Sequence, residues 1–346
     1  MKFESIRTNS WVLTELKKPL KNYILKIPIL KKSQFLVKII YSGFCASQFG
    51  EIIGIKGQDK YLPHCLGHEA IGKVVKKNSN KKIFPGEYVV LHWMKSSGND
   101  SEKIFYRTDK NKIINSGMIT TFSDYVVVSE NRLTKIRAKK EDLVNLPPMG
   151  CSLSVGISTI EKIVKPKKNE KILIIGSGAI GLPIIHYCKI KNIKIDVIEK
   201  KNKSAKLSKL FGSNQTFKDI RNKRLIANLK NSEYDHVVDT SGNSDLINFI
   251  LKIIKPKVKI CLIGVSKKGK KIKFDPIKIN YGISIVGSYG GNFNPDKDLI
   301  KYFNLLKKTN FNFSLYIDKV YKIQKINELI FDYKNKKICS KAVMSI

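Results

Sequence analysis

The sequence predicts an α/β protein of two domains, the first rich in strands and the second built on a doubly wound parallel sheet. Its 346 residues are enough for about two domains, and the 42% hydrophobic content can supply two cores. Residues 35–128 carry short β-rich runs separated by turn signals such as Pro85-Gly86-Glu87. After Pro147-Pro148, apolar strands alternate with helical patterns, which is typical of a parallel sheet with crossover helices.

The individual elements follow from clusters of β-branched and aromatic residues and from helical periodicity. In the first domain, strands are expected at 35–41, 71–76, 88–91 and 125–128. In the second, strands are expected at 171–175, 194–198, 235–239, 258–264 and 284–287, with helices at 152–164, 182–191, 202–211 and 245–254. The tail adds a helix at 296–307 and a final strand at 341–346. Residues 95–116 are rich in Gly, Asn, Asp, Ser and Lys, so we expect an exposed loop there.

The charge composition limits which kinds of binding partner are expected. The formal net charge is +37, but only six of the 65 basic residues are arginine, and the lysines are spread along nearly the whole chain. Because arginine is preferred for bidentate contacts to bases and phosphates, this pattern argues against specific nucleic-acid recognition. It favours a solvated lysine-rich surface with, at most, non-specific attraction to polyanions.

Membrane and secretory signals are missing from the sequence. No run approaches about 18 uninterrupted apolar residues, and residues 1–22 mix charges without an apolar signal core. We therefore expect a cytoplasmic protein with no membrane partner. The six cysteines are widely and irregularly spaced, so a disulfide framework is not expected.

One glycine-rich turn has the spacing of a dinucleotide-binding loop. The turn comprises Gly176, Ser177, Gly178, Ala179, Ile180 and Gly181, and it follows an apolar strand and opens a helix. Gly176 allows a tight turn, Gly178 lets the backbone approach a pyrophosphate, and Gly181 permits close packing of helix on strand. Free N–H groups at the start of the following helix then face the phosphates. The alternative is a structural glycine turn without a cofactor.

Glu199 ends the next strand, at the distance where an acidic residue binds the adenosine ribose hydroxyls. Its carboxylate would repel a 2′-phosphate, which favours NAD over NADP. Lys200, Lys201 and Lys203 follow directly and could offset that repulsion.

Three residues have the donor types of a catalytic zinc site. Cys45, His68 and Cys151 offer two thiolates and one imidazole, which suit the tetrahedral geometry of zinc. Three protein ligands leave a fourth position for water or substrate. Zinc and a nicotinamide cofactor in one chain indicate hydride transfer at an alcohol or carbonyl carbon.

With these motifs the chain resembles the zinc-dependent medium-chain dehydrogenases, the relatives of alcohol and polyol dehydrogenases. The motifs Gly67-His68-Glu69-Ala70-Ile71-Gly72, Pro85-Gly86-Glu87-Tyr88-Val89 and Gly150-Cys151 occur in the family's order and spacing. The resemblance implies a GroES-like β-rich catalytic domain at 1–150, completed by 291–346. It also implies a Rossmann coenzyme domain at 151–290, and homo-oligomers formed through a sheet edge such as residues 284–289.

The resemblance also implies roles for single residues. Cys45, His68 and Cys151 would hold one catalytic zinc, and Glu69 would lie beside it. Ser47 matches the hydroxyl that accepts the proton of the substrate alcohol, and Lys341 matches a basic residue on the cofactor pyrophosphate. His92 and Trp93 follow a strand where relatives line the substrate pocket; simple packing is the alternative for them. The small-molecule substrate would be an alcohol, a polyol, a sugar-like compound or the corresponding carbonyl.

Three departures from the family pattern stand out. Residues 92–120 contain no cysteine, so the second, structural zinc of many relatives is not expected. Gln48 stands where the family often has an aspartate that orients the zinc-bound histidine, and a glutamine supplies no charge. Gly50 stands where some relatives carry a histidine that ends the proton relay.

Two other functions remain as alternatives at this point. One is a zinc-free reductase of the same superfamily acting on an enone or quinone, which the Cys45, His68 and Cys151 set disfavours. The other is a basic nucleic-acid-binding protein on a dehydrogenase scaffold, which the intact fingerprint and ligand set disfavour.

Overall fold

The computed structural model describes residues 3–231 and 233–346. The strands up to residue 152 are β1 (Phe3–Leu13), β2 (Lys21–Pro28), β3 (Gln34–Phe44), β4 (His64–Cys65), β5 (Ala70–Asn78), β6 (Tyr88–Leu91), β7 (Ile104–Arg107), β8 (Ile113–Gly117), β9 (Tyr125–Ser129) and β10 (Leu133–Lys135). Helix α1 (Ala46–Ile52) follows β3, and short 3₁₀ turns lie at Glu130–Arg132, Lys140–Asn145 and Pro147–Gly150. The strands expected in this part of the chain lie within β3, β5, β6 and β9.

The middle of the chain alternates strands and helices. Its strands are β11 (Lys171–Ile175), β12 (Lys194–Ile198), β13 (Gln215–Phe217), β14 (His236–Asp239), β15 (Lys259–Leu262) and β16 (Ser284–Gly287). Its helices are α2 (Ser152–Ser158), α3 (Gly181–Ile190), α4 (Asn202–Phe211), α5 (Lys223–Lys230), α6 (Ser244–Ile253) and α7 (Pro276–Asn280). The helix expected at 152–164 is α2 continued by a π-helical stretch, Thr159–Val164.

The chain closes with helices α8 (Pro295–Lys308), α9 (Phe313–Tyr316) and α10 (Ile326–Lys334) and strands β17 (Ile317–Lys322) and β18 (Lys341–Ser345). Short 3₁₀ turns lie at Gly290–Asn292 and Ile323–Lys325. The expected helix at 296–307 and the expected final strand agree with α8 and β18.

A closed barrel is formed by β1, β2, β7, β8 and β4. Strands β7 and β8 lie largely within residues 95–116, so the prediction of an exposed loop there is wrong. Ile104, Tyr106 and Ile114 are buried, and the Val127 backbone N–H donates to the Tyr106 hydroxyl at 2.7 Å. Within this polar stretch, β7 buries alternate residues and β8 buries only Ile114, so composition alone did not reveal them.

The second sheet places the site-bearing loops at one end. Its strand order is β10-β6-β5-β3-β18-β17, and β9 also pairs with β3. The final strand β18 runs antiparallel to β3 and sets Ala342 opposite Phe44. Strand β5 sets Ala70 opposite Ser42. The residues just after β3, just before β5 and at the start of β18 therefore meet at the same end of this sheet.

The third sheet has the order β13-β12-β11-β14-β15-β16, with each pair parallel. The order reverses between β11 and β14, which is the point where open α/β sheets bind their ligands. Its core is apolar, with Leu173, Val237 and Ile260 fully buried. The loop after β11 holds the glycine fingerprint at the carboxyl end of that strand.

The chain forms two compact units. The first contains residues 3–152, Asn294–Leu305 and Ile317–Ile346, and the second contains Leu153–Phe293 and Leu306–Tyr316. The sequence prediction differs in placing all of 291–346 with the first domain. Among the described residues, no helix combines the length and the apolar composition needed to cross a bilayer.

Candidate active site

Three loops of the first unit deliver the predicted metal ligands to one place. Cys45 follows β3 directly, His68 lies just before β5, and Cys151 follows the 3₁₀ turn Pro147–Gly150. Their ligand atoms all lie within 4.8 Å of one another. Cys45 and His68 are half-buried, whereas Cys151 is buried. Among the described residues, no other group of three or more Cys, His, Asp and Glu side chains is arranged to hold a metal ion.

The two thiols are electrostatically different. A hydrogen bond with Cys151 lowers the pKa of Cys45 well below the usual thiol value, against the effect of burial, and His68 and Lys341 lower it further. The same hydrogen bond and burial raise the pKa of Cys151. Burial lowers the pKa of His68, but its hydrogen bond to Cys45 and the negative charges of Cys45 and Glu69 raise it above the ordinary value. A thiolate, a second thiol and an imidazole at this spacing form a donor set that suits a divalent cation such as zinc.

Glu69 lies behind this cluster and is fully buried. Its Oε1 forms a hydrogen-bonded ion pair with the Lys341 ammonium, and its Oε2 has no hydrogen-bond partner among the described residues. Burial raises the pKa of Glu69, and the Lys341 charge opposes that rise. An unpartnered buried carboxylate oxygen beside two thiols fits a site that takes a cation.

Two glycines pack closely around Glu69. A Cβ at Gly43 would lie 2.6 Å from Glu69 Oε1, and one at Gly150 would lie 2.2 Å from the Leu91 carbonyl oxygen. At Gly150 the neighbour is backbone, so only glycine fits there, whereas a side chain at Gly43 would displace the Glu69 carboxylate. The sequence did not single out either residue for this role, although both flank a predicted zinc ligand by one or two positions.

Lys341 occupies a position that the sequence did not reveal. It is 1% exposed, and its ammonium is paired with Glu69 inside the first unit. The register of β18 on β3 brings it there, because Ala342 lies opposite Phe44. A contact of Lys341 with a cofactor pyrophosphate stays a prediction.

Gln48 links His68 to a second carboxylate. Its Nε2 lies 3.0 Å from His68 Nδ1 and donates to Glu51 Oε2 at 3.3 Å, while its Oε1 accepts from the Gly67 backbone N–H. Because Gln48 lies at Nδ1, Nε2 is the ring nitrogen left for the cysteine cluster. Glu51 was missed in the sequence, although its i, i+3 spacing from Gln48 on α1 places the two on one helix face.

His92 is a packing residue in this structure. It is fully buried, its Nδ1 lies 2.7 Å from the Met94 carbonyl oxygen, and its Nε2 lies 3.0 Å from Thr134 Oγ1. Burial lowers its pKa to about 3, so the ring is neutral. With both nitrogens occupied, the packing alternative describes His92 better than a role in a substrate pocket.

The glycine fingerprint lies in the second unit at the carboxyl end of β11. Gly176 adopts a φ of +93°, and a Cβ at Gly181 would lie 2.2 Å from the Gly176 carbonyl oxygen. A Cβ at Gly178, by contrast, would meet no atom within 4 Å. The loop is therefore tightly packed at Gly176 and Gly181 and open at Gly178. This open side leaves the space that the protein backbone needs to approach a pyrophosphate.

Glu199 caps this loop from the end of β12. Its Oε2 accepts from the Ser177 N–H at 3.1 Å and from the Ser177 hydroxyl at 3.3 Å, and its Oε1 accepts from the Lys201 N–H at 2.9 Å. The Tyr316 hydroxyl donates to the Ala179 carbonyl at 2.9 Å. Each carboxylate oxygen has two lone pairs, so the group can accept from a further donor.

Comparisons with known proteins match both halves of the chain. Residues 31–138 match the family described as alcohol dehydrogenase GroES-like domain, and residues 179–308 match the family described as zinc-binding dehydrogenase. The chain belongs to the zinc-type medium-chain alcohol dehydrogenase family. Its two domains are accordingly a GroES-like domain and a Rossmann-like domain, as the sequence predicted.

Curated relatives and solved structures agree with this family. Alcohol dehydrogenase 1 of Solanum tuberosum is 24% identical over 330 residues, covering 85% of each chain. Alcohol dehydrogenase 3 of Hordeum vulgare is 23% identical over 358 residues, covering 93% of each. Benzyl alcohol dehydrogenase from Acinetobacter calcoaceticus superposes with a TM-score of 0.85 at 19% identity, covering 99% of each chain. Acetophenone reductase from Geotrichum candidum, solved with NAD, has a TM-score of 0.79 at 20% identity and covers 98% and 97%.

This member of the medium-chain family is an oxidoreductase of the alcohol dehydrogenase type, acting between alcohols and carbonyl compounds. The prediction of a hydride-transferring enzyme is confirmed at that level. The alternatives of an enone or quinone reductase and of a nucleic-acid-binding protein find no support in these comparisons.

Proposed function

We propose that this enzyme uses one zinc ion and NAD(H) to interconvert a hydroxylated substrate and its carbonyl form. The observation that carries the proposal is the convergence of Cys45, His68 and Cys151, whose ligand atoms lie within 4.8 Å of one another. A zinc ion held by these three residues would supply a Lewis acid for the oxygen of the substrate. The three ligands come from separate loops, so the pattern is not a by-product of one packed segment.

The surrounding residues handle protons and charge. Ser47 lies on α1, two residues after Cys45, and its half-buried hydroxyl is the group we assign to accept the proton of the alcohol. Glu69 places a carboxylate beside the ligand cluster, and Lys341 holds that carboxylate in position through their ion pair. Gly50 stands where some relatives carry a relay histidine, so the proton accepted by Ser47 would have to leave through solvent or through a hydroxyl of a bound cofactor.

NAD rather than NADP is proposed as the cofactor, because Glu199 stands at the fingerprint loop with its carboxylate oxygens 3.1 Å and 2.9 Å from two backbone donors. Those bonds fix the carboxylate where a ribose would meet it, and a 2′-phosphate would be repelled there. The lysines at 200, 201 and 203 oppose that repulsion, so discrimination is expected to be moderate.

The substrate is proposed to be a polyol or a sugar-like compound. A cavity of about 680 Å³ in the first unit has Glu51, Asp59, His64 and Asn115 in its wall, with Lys56 and Lys60 exposed at its edge. His64 Nε2 already lies 2.8 Å from Asp59 Oδ2, and Asn115 donates to the Tyr61 carbonyl at 2.6 Å. The acceptor positions that these groups keep, together with the exposed lysines, would serve a ligand with more than one hydroxyl.

We also propose a homo-oligomer formed through the edge of the parallel sheet. Strand β16 ends the sheet order, and exposed apolar side chains such as Val265, Tyr281 and Tyr289 lie in the same part of the chain. An uncovered edge with apolar neighbours is a surface that another copy can cover. Light scattering after gel filtration tests this: a monomeric mass at micromolar concentration contradicts it.

The experiment that tests the function combines metal analysis with turnover. Purified, zinc-replete protein is analysed for zinc by mass spectrometry and then screened against alcohols, polyols and sugar derivatives by NADH absorbance. We expect one zinc per chain and turnover that a strong chelator removes. Full turnover in the chelated, zinc-free protein would refute the zinc assignment and restore the zinc-free reductase hypothesis.

A further inference from the structure

The amide of Gln48 faces His68 with its donor side. An amide nitrogen only donates and an amide oxygen only accepts. The Gly67 N–H donates to Oε1, and the Glu51 carboxylate accepts from Nε2 at 3.3 Å, so two independent partners fix the orientation of the amide. His68 Nδ1, 3.0 Å from Nε2, is therefore an acceptor in this arrangement.

An acceptor at Nδ1 is the wrong tautomer for metal binding through Nε2. A neutral imidazole carries one proton, and the nitrogen that binds a metal must be the unprotonated one. A metal at Nε2 therefore requires a proton on Nδ1, and that N–H would point at the N–H₂ group of Gln48. Metal-bound histidines normally donate this N–H to an acceptor such as a carboxylate.

Reversing the Gln48 amide does not solve the conflict. The reversed amide would place its N–H₂ against the Gly67 N–H and its oxygen against the Glu51 carboxylate. Gln48 is 4% exposed, so water cannot readily relieve either mismatch. Glu51 is thus the residue that, with Gly67, holds Gln48 in the orientation that opposes metal loading.

We propose that Gln48 and Glu51 are positioning residues that bias His68 toward the tautomer unable to bind metal through Nε2, so that this centre holds its metal less tightly than its ligand set alone would. The inference rests on the proposed zinc site. It assigns a function to Glu51, which is not one of the proposed metal ligands, and it makes the metal of this enzyme exchangeable.

The test exchanges the two side-chain types. The double variant Gln48→Glu/Glu51→Gln keeps the composition and the net charge. The carboxylate that this exchange places at position 48 can accept from both the Gly67 N–H and His68 Nδ1–H, and the new amide at position 51 can donate to it. Changing the hydrogen-bond partner of a metal ligand typically alters metal affinity about 10–100-fold, so we expect zinc to bind at least about 10-fold more tightly than in the wild type.

Two readouts are measured on the full chain. Zinc affinity comes from competition with a chromophoric chelator at fixed pH. The His68 tautomer comes from ¹⁵N NMR of histidine-labelled metal-free protein, read at the alkaline end of a pH titration where the ring is neutral. The proton is expected on Nε2 in the wild type and on Nδ1 in the double variant. Glu51→Gln alone should tighten zinc binding by a smaller factor, since a neutral amide at position 51 can donate to a reversed Gln48. Glu102→Gln removes an exposed carboxylate elsewhere in the first unit and should change nothing.

The possible outcomes distinguish failure of this inference from failure of the proposed function. If the wild type binds one zinc and neither the double variant nor Glu51→Gln binds it more tightly, the inference is wrong and the zinc function stands. If neither the wild type nor the double variant binds zinc in a one-to-one ratio, the proposed function fails, and the inference fails with it. A neutral His68 ring with its proton on Nδ1 in the metal-free wild type would overturn the inference directly.

Discussion

The metal cluster and the nucleotide loop are built in opposite ways. The residues of the nucleotide loop come from one continuous stretch of the chain, β11–α3–β12. Gly176 follows β11 directly, Gly181 begins α3, and Glu199 follows β12 directly. The metal cluster gathers Cys45, His68 and Cys151 from three loops and takes its neighbouring cation, Lys341, from the last strand. The loop depends on local backbone geometry, whereas the cluster depends on the pairing of distant strands.

Each site should therefore fail in its own way. In the loop, one added Cβ disturbs contacts made within the same turn, so the damage stays in the second unit. In the cluster, loss of one side chain leaves buried charged or polar partners behind. Variants in the two regions should separate cleanly, with one function lost while the other persists.

The largest effect is expected for Cys45→Ser. A serine hydroxyl is a poor zinc ligand compared with a thiolate, so the variant should lose bound zinc and at least about 10³-fold in kcat/KM, since a metal contributes several kcal/mol. NAD binding, measured by fluorescence titration, should stay within a factor of about 3, that is under about 1 kcal/mol. Wild-type turnover in this variant would refute the ligand assignment.

Next comes Lys341→Met, which leaves the Glu69 carboxylate buried without its cation. Breaking a buried pair by removing one partner costs about 3–5 kcal/mol in the free energy of unfolding. Urea denaturation of the metal-free protein measures it. Lys31→Met is the matched control, because the Lys31–Glu102 pair is exposed, and it should hardly shift the midpoint. Equal midpoints for the two variants would show that the buried pair is not needed for stability.

Two glycine variants sharpen the comparison inside the nucleotide loop. Gly181→Ala places a Cβ 2.2 Å from the Gly176 carbonyl oxygen and should destabilise the protein by about 1–3 kcal/mol. The Cβ that Gly178→Ala adds would meet no atom within 4 Å. We therefore expect this variant to keep the wild-type melting temperature and to bind NAD more weakly. Zinc content should be normal in both. Unimpaired NAD binding by Gly178→Ala would contradict the dinucleotide assignment of the loop.

The smallest effect is expected for Glu199→Ala. Removing the carboxylate should lower kcat/KM with NAD and raise it with NADP, changing their ratio by about 10-fold, or about 1.4 kcal/mol. Asp245→Ala removes an exposed carboxylate from the same unit and should leave the ratio unchanged. An unaltered ratio in Glu199→Ala would mean that the ribose is recognised by other groups.

The sequence predicted the elements of the parallel sheet best, because their signals are local. Strands β11, β12 and β16 and helix α4 match the predicted ranges, since apolar runs and glycine boundaries are read from neighbouring residues. All five barrel strands, β1, β2, β4, β7 and β8, were missed, because their stability comes from barrel partners rather than from their own composition. His92 was ambiguous for the same reason: only packing shows that Thr134 and Met94 occupy both ring nitrogens.

By itself, the sequence determined the fold class and the order of the two domains, and it singled out the glycine loop with its acidic residue and the cysteine and histidine residues that we propose as metal donors. Each of these follows from residue type and short-range spacing. Only the tertiary structure decided that Cys45, His68 and Cys151 converge, that Lys341 is buried against Glu69, and that Glu51 reaches Gln48. These contacts depend on strand register and on the directions of side chains, and neither is encoded in the spacing of the residues concerned.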